Sequence, residues 1–367
     1  MTKEISIFKE YLTPKGPQYK GGKSKDEIVS DKPVYKLSSN ENMLGSSPLA
    51  MAAVKKHLDV LNEYPDNNDT RFRKALSEFY GGEMTPDQFI TDNSGVGILQ
   101  LITSTLMGEG LECIFSNPGF VPYRAFPEKV GGKTIDVPLK GDNWELDVEG
   151  ILSKITDRTR LIWVCSPNNP TGTHIPKNKM DELIQRIPDH VVVVYDEVYY
   201  QYATASDFVR GYEYLKSGKK VIAVNSFSKA YGLAGLRVGY AYSTSEIARY
   251  VSQWRRPFFI NTLSMEAAMT ALKDEDFIKR TVDLVNQGKE YLYPELDKIG
   301  VKYWKSQANF ILMKPDMNEL DFESKMHTQG IMTRPVAAFG APGHIRVTIG
   351  TRAANEAFIE GLKAVLT

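Results

Sequence analysis

The apolar positions of this chain fall into short unbroken runs. Leu161-Ile-Trp-Val-Cys165, Val191-Val-Val-Val-Tyr195 and Val221-Ile-Ala-Val224 are consecutive hydrophobic stretches, and Cys113-Ile-Phe115 is a shorter one. Continuous apolarity over strand length marks strands that are covered on both faces. Segments with helical spacing separate these runs, among them Lys179-Met-Asp-Glu-Leu-Ile-Gln-Arg186 and an alanine-rich stretch from about Ser47. Strands alternating with helices predict an α/β fold: a three-layer, doubly wound, mostly parallel sheet.

Beyond about Ser264 the pattern changes. A long helical segment from Met265 to about Ile299 leads to Asn309-Phe-Ile-Leu-Met313 and Ile345-Arg-Val-Thr-Ile349, two apolar runs separated by a helix. A large domain over 46–264 and a smaller α+β domain over 265–367 are therefore expected. Residues 1–45, polar and broken by Pro14, Gly16, Pro17, Gly21 and Gly22, read as an extended arm that joins the small domain. No internal repeat or low-complexity segment is visible.

Composition narrows the function classes. Lys+Arg and Asp+Glu are both 45 in 367 residues, so no net field draws the chain to nucleic acid or to an anionic membrane. No apolar run has the length of a membrane span, and Met-Thr-Lys-Glu-Ile lacks the apolar core of a signal peptide. Cys113 and Cys165 sit in or beside apolar runs, which predicts buried free thiols in a reducing cytoplasm. No metal-ligand spacing is present.

The polar motifs that carry chemistry follow the strand ends, where open α/β sheets bind ligands. After Val221–Asn225 comes Ser226-Phe-Ser-Lys229, with Arg237 eight residues beyond the lysine. A lysine that can form an imine, beside hydroxyls, glycines and an arginine that can hold a phosphate, is what pyridoxal 5′-phosphate chemistry requires. After Val191–Tyr195 comes Asp196-Glu-Val-Tyr199. A carboxylate directly behind apolar residues needs a cationic partner, and a pyridinium nitrogen is one; Tyr199 is placed to bond the ring's 3′-oxygen. After Leu161–Cys165 comes Ser166-Pro-Asn-Asn169-Pro-Thr-Gly172, whose prolines and glycine fix the direction of Asn169. Thr91-Asp-Asn-Ser94-Gly95-Val-Gly97 precedes an apolar helix and offers backbone N–H groups to a phosphate, and Phe120 in Asn117-Pro-Gly-Phe-Val-Pro-Tyr123 is an aromatic that can stack on a cofactor ring. Each motif alone also reads as a turn, a cap or a core aromatic. Their ordered succession behind strands is what points to the cofactor. Neither G-x-x-x-x-G-K-[ST] nor G-x-G-x-x-G follows a strand, which disfavours a nucleotide-binding protein.

With these motifs the chain resembles the fold-type I pyridoxal-phosphate-dependent aminotransferases of class I/II, and within them the histidinol-phosphate aminotransferases. The resemblance runs over essentially the whole length. Its landmarks are Ser39-Asn-Glu-Asn42 with Gly45, Tyr64-Pro-Asp66, Ser166–Gly172, Asp196–Tyr199, Ser226–Arg237, Asn309-Phe310 and Ile345–Thr351. It implies that Lys229 carries the cofactor through an imine and then acts as the base, that Asp196 pairs with the ring nitrogen, and that Asn169 and Tyr199 contact the 3′-oxygen. Ser226, Ser228, Arg237 and amides near Ser94 and Gly95 would hold the phosphate, with Phe120 on the ring. Tyr64 would reach the phosphate of a neighbouring subunit, which implies a homodimer with shared active sites. Arg346, Arg334 and Tyr19 would form the substrate pocket, for a small-molecule amino donor and a 2-oxo acid acceptor. Histidinol phosphate with 2-oxoglutarate is the expected pair, in histidine biosynthesis. Aromatic transamination, threonine-phosphate decarboxylation and a non-enzymatic cofactor-binding regulator are the alternatives; the last is disfavoured because only a short arm precedes the fold. Two departures stand out. Asn93-Ser94-Gly95-Val96 replaces the family's Gly-Ser-Asp-Glu, and Met43 stands where a proline is frequent.

Overall fold

The computed structural model describes residues 7–13, 24–28 and 30–366. Its centre is a seven-stranded sheet in the order Phe89–Asp92, Gly239–Tyr242, Val221–Ser226, Val192–Asp196, Thr159–Cys165, Glu112–Asn117, Lys133–Pro138. Gly239–Tyr242 runs antiparallel to both neighbours and the remaining pairs are parallel. The unbroken apolarity of the central strands follows from their position. Leu161, Trp163 and Cys165 enter one apolar cluster, with Ile98 and Ile102 of the Gly95–Leu106 helix. Ile162 and Val164 enter another, with Met180 and Leu183 of the Lys177–Arg186 helix. Alternate residues feed opposite faces, so both parities must be hydrophobic. The layers are helix, sheet, helix.

A second, four-stranded antiparallel sheet has the order Arg334–Pro335, Ile345–Thr348, Phe310–Lys314, Lys302–Trp304. The helices Glu275–Ile299 and Arg352–Leu366 pack together over it. Tyr35–Lys36 pairs in parallel with Ile331–Met332, and the Leu37 carbonyl accepts from Thr348 N–H at 2.7 Å. The N-terminal segment is thereby tied to the second sheet before it reaches the first.

The long helix expected from Met265 to about Ile299 is two helices, Thr262–Ala271 and Glu275–Ile299. Asp274 breaks it. Its carboxylate accepts the Phe277 N–H at 3.2 Å and the Ser47 hydroxyl at 2.6 Å, starting the second helix as an N-cap. Among the described residues no helix is long and apolar enough to cross a membrane, and Cys113 and Cys165 are free and buried.

Candidate active site

The carboxyl ends of Thr159–Cys165, Val192–Asp196 and Val221–Ser226 open into a cavity of about 360 Å³ that the second sheet closes from the other side. Ser94, Gly95, Phe120, Asn169, Asp196, Tyr199, Ser226, Ser228, Lys229, Arg237, Arg334 and Arg346 all line it. Tyr64 does not: it is 83% exposed on the surface, its ring 4.7 Å from that of Phe258. Tyr19 lies outside the described residues.

Asp196 ends its strand and is 4% exposed. Its Oδ2 accepts the Tyr123 hydroxyl at 2.6 Å and its Oδ1 the Val198 N–H at 3.3 Å. Burial pushes the carboxyl up to about 6, against the Tyr123 hydrogen bond that pulls it down. Glu197, the next residue, faces the opposite way and is fully buried. It accepts from Arg210 Nε and Nη2 at 3.0 Å each, Gly211 N–H at 2.9 Å, Asn225 Nδ2 at 3.0 Å and Tyr242 Oη at 2.6 Å. Of two adjacent carboxylates, one is consumed by structure and one faces the cavity.

Lys229 donates from Nζ to the Ser39 carbonyl at 3.2 Å. Burial lowers its amine to about 8, and the Arg346 and Arg237 charges push the same way, while Glu41 and Asp196 oppose them. At pH 7 roughly a tenth of such a lysine is neutral, roughly 300-fold more than for one at its ordinary value. Tyr199 accepts from Asn40 Nδ2 at 3.0 Å and meets Phe310 edge-on at 5.2 Å. Arg346 donates to Asn169 Oδ1 at 2.5 Å and to the Ser38 carbonyl at 2.9 Å, so the second sheet and the Asn169 turn meet at a guanidinium. Arg334 reaches the cavity from the strand paired with Arg346.

At the other end, Ser94 caps the Gly95–Leu106 helix by accepting the Gly97 N–H at 2.9 Å, which turns the helix N-terminus into the cavity. Ser226 and Ser228 lie beside it, and exposed Arg237 stands at the rim in a left-handed turn with φ 54. That conformation costs roughly 1–2 kcal/mol for a residue with a Cβ. The departure at Asn93–Val96 leaves this arrangement intact: the N–H groups come from the backbone, and Val96 lines the cavity wall.

Three lining contacts were not assigned roles from sequence. Tyr123 holds Asp196, and its ring stacks on Trp163 at 5.3 Å and meets Phe120 edge-on at 5.8 Å. Ser38–Asn40 border the cavity through the N-terminal segment, and Phe339 stacks near Phe120 at 6.3 Å. The one available signal was the three-residue spacing of Phe120 and Tyr123 at the start of a helix.

These residues fit pyridoxal phosphate on the chemistry of Asp196. A buried carboxylate whose hydrogen-bond partners are a phenol and an N–H, with no cation among them, faces a cavity with a depressed lysine at one side and a helix N-terminus at the other. Among the described residues, no group of three or more His, Cys, Asp or Glu side chains is placed to hold a metal.

Comparison with known proteins agrees. The family model described as aminotransferase class I and II matches residues 32–362. Histidinol-phosphate aminotransferase 2 of Pseudomonas fluorescens is 37% identical, covering 95% of this chain and 94% of the relative. The enzyme of the same name from Carboxydothermus hydrogenoformans is 36% identical over 95% of this chain and 96% of its own. Among solved structures, Sinorhizobium meliloti histidinol-phosphate aminotransferase in complex with pyridoxal-5′-phosphate superposes with a TM-score of 0.87 at 23% identity, over 99% of this chain and 98% of that one. Thermus thermophilus aspartate aminotransferase with maleate gives 0.80 at 23%, over 93% of each chain. The fold is therefore shared by enzymes with different substrates.

Proposed function

The chain belongs to the class I and II aminotransferases, and from that premise we propose that it moves the amino group of histidinol phosphate to 2-oxoglutarate. It is a pyridoxal-phosphate-dependent enzyme. When bound, the cofactor supplies a carbonyl that exchanges for an amine and a ring that accepts electrons. Lys229 would anchor it and afterwards carry the proton at Nζ, for which an amine lowered to about 8 is suited near neutral pH. Asp196 would keep the ring nitrogen protonated, and Asn169 and Tyr199 would hold the ring oxygen. Ser226, Ser228, Arg237 and the helix N-terminus would take the phosphate, with Phe120 against the ring.

The observation that supports the substrate is the pair of guanidinium forks, Arg334 and Arg346, facing each other across one strand pair into the same cavity. Two forks suit a phosphate dianion in one half-reaction and a dicarboxylate in the other. The relatives' names agree with this assignment. The test is kcat/KM for histidinol phosphate against phenylalanine and tyrosine, with 2-oxoglutarate as acceptor, in wild type and Arg334→Ala. Histidinol phosphate is expected to win and to lose most in the variant. A tenfold advantage for either aromatic amino acid, about 1.4 kcal/mol in the transition state, would replace it by an aromatic donor.

We also propose a homodimer with shared sites. Leu44, Leu49, Met51, Leu58, Leu61 and Tyr64 are exposed apolar side chains on one stretch, and Tyr64 lies against Phe258 of another that also exposes Trp254. Exposed apolar surface of this kind supports a partner contact.

A further inference from the structure

Three consecutive residues of the N-terminal segment each hold one functional side chain of the cavity: the Ser38 carbonyl accepts from Arg346, the Ser39 carbonyl from Lys229, and the Asn40 amide reaches Tyr199 Oη. The first two contacts position cations. The third fixes the direction of a proton. Asn40 is 1% exposed and sits at φ 56, a left-handed conformation that asparagine tolerates better than most residues. Asn309 Nδ2 donates to its carbonyl at 3.1 Å and pins the backbone there.

The amide orientation follows from the surrounding donors. The Asn40 backbone N–H donates to Thr348 Oγ1 at 2.9 Å, so that hydroxyl has its own proton left to place. Asn40 Oδ1 lies 3.4 Å from it and receives that proton. Nδ2 then faces Tyr199 Oη at 3.0 Å. A phenol oxygen that accepts an amide N–H must send its own proton elsewhere, and Tyr199 lines the cavity. We propose that Asn40 is a positioning residue that makes Tyr199 a hydrogen-bond donor into the cavity, toward the ring oxygen of the bound cofactor. The proposal rests on the aminotransferase reading. It also ties the phenol to the second sheet, since Thr348 lies two residues beyond Arg346 on one strand.

Asn40→Asp is the informative variant, because it keeps the shape but can only accept. A carboxylate at this position takes the phenol's proton and turns it away from the cavity. Two readouts apply to the holoenzyme and its apo form: the pH at which the visible absorption of bound cofactor shifts, and the cofactor Kd from titration of apo-protein. Loss of a donor to an anionic oxygen is expected to move the spectral transition upward by about one unit, in the direction that Tyr199→Phe moves it. It is also expected to weaken cofactor binding about three- to tenfold. In a Tyr199→Phe background Asn40→Asp should shift neither readout further. An unshifted Asn40→Asp overturns the proposal. So does a shift of the same size in both backgrounds, which would be the effect of added charge. If Asn40→Asp does not fold, Asn40→Ser carries the same comparison, with a smaller shift expected and none in the Tyr199→Phe background. Failure of the aminotransferase reading looks different: wild type itself would show no visible band with pyridoxal phosphate.

Discussion

Tyr123 donates its phenolic proton to Asp196 at 2.6 Å in the cavity wall, with both side chains almost wholly buried. The carboxylate that we propose for the cofactor's ring nitrogen thus receives a hydrogen bond that favours its ionised form. A hydrogen bond to a charged group contributes about 1.5–3 kcal/mol, and this one opposes the burial that has raised the Asp196 carboxyl to about 6. Tyr123→Phe removes only the hydroxyl. The carboxyl pKa is expected to rise by roughly one to two units, so more of the protein is protonated there at neutral pH. The acid limb of the kcat/KM profile should move upward, with a loss of about two- to tenfold at pH 7 that narrows as pH rises. An infrared carboxylic-acid band in the apo variant at pH 7, absent from Tyr123→Phe/Asp196→Asn, would locate the proton. An unmoved pH profile would reduce Tyr123 to packing.

Asp196 is also a stability liability in the apo-protein. Its folded value of about 6 lies above the ordinary 3.8, so the fold prefers the protonated form. The sign follows directly: the penalty is fully present above about pH 6 and is gone below about pH 4. Its size is on the order of 3 kcal/mol. Apo Asp196→Asn should therefore melt at a higher temperature than apo wild type at pH 7.5, with the advantage shrinking toward pH 4.5, while activity falls by orders of magnitude. Saturation with cofactor should reverse the order. An apo variant less stable than wild type at pH 7.5 would mean that the hydrogen bonds from Tyr123 and Val198 N–H outweigh the cost of burying the carboxylate.

Much of this was legible in the chain because burial on both faces writes itself as unbroken apolar runs. Two strands were not, one at the sheet's edge and one inside it. Lys133–Pro138 buries only Val137, and Gly239–Tyr242 is a four-residue Gly-Tyr-Ala-Tyr segment with no run to see. The polar residues that follow strand ends were readable for the same local reason, since each sits next to its own strand. Tyr123 and Asn40 were not readable as site residues, because their roles arise from partners distant in sequence. Tyr123, after Glu112–Asn117, meets Asp196 across the one strand between them, Thr159–Cys165. Asn40 meets Tyr199 because a two-residue pairing of Tyr35–Lys36 with Ile331–Met332, continued by bonds between Thr348 and both Leu37 and Asn40, brings the segment in. Such a pairing leaves no hydrophobic period.

Shared sites can be tested without an image of the interface. Tyr64 is 83% exposed and lies outside the cavity of its own chain, so any part it plays at a phosphate must be played in another subunit. The Tyr64→Phe and Lys229→Ala proteins should each be impaired, the second without turnover. Mixed under conditions of subunit exchange, they should form hybrids in which one site has both native residues, and part of the activity should return. No recovery despite exchange shown by mass spectrometry would count against a role in trans.

The helix N-terminus at the Ser94 end of the cavity depends on one glycine. A Cβ on Gly239 would lie 2.4 Å from the backbone nitrogen of Gly95 and 2.5 Å from the carbonyl carbon of Ser94. Both are backbone atoms, so no side chain can turn aside to relieve the contact. The constraint is space, since Gly239 is not among the residues with positive φ. Gly239→Ala must therefore displace the start of the Gly95–Leu106 helix, the element that brings Ser94, Gly95 and Val96 to the cavity. Overpacking of this kind costs about 1–3 kcal/mol, and the displaced N–H groups should cost cofactor affinity as well, on the order of tenfold. Gly108→Ala is the control, because a Cβ there meets nothing within 4 Å. Cofactor Kd and apo melting temperature, measured for both variants, separate the outcomes. Weaker binding and a lower melting temperature in Gly239→Ala alone are expected. Wild-type affinity in Gly239→Ala would mean that the close approach of strand and helix does not set cofactor binding.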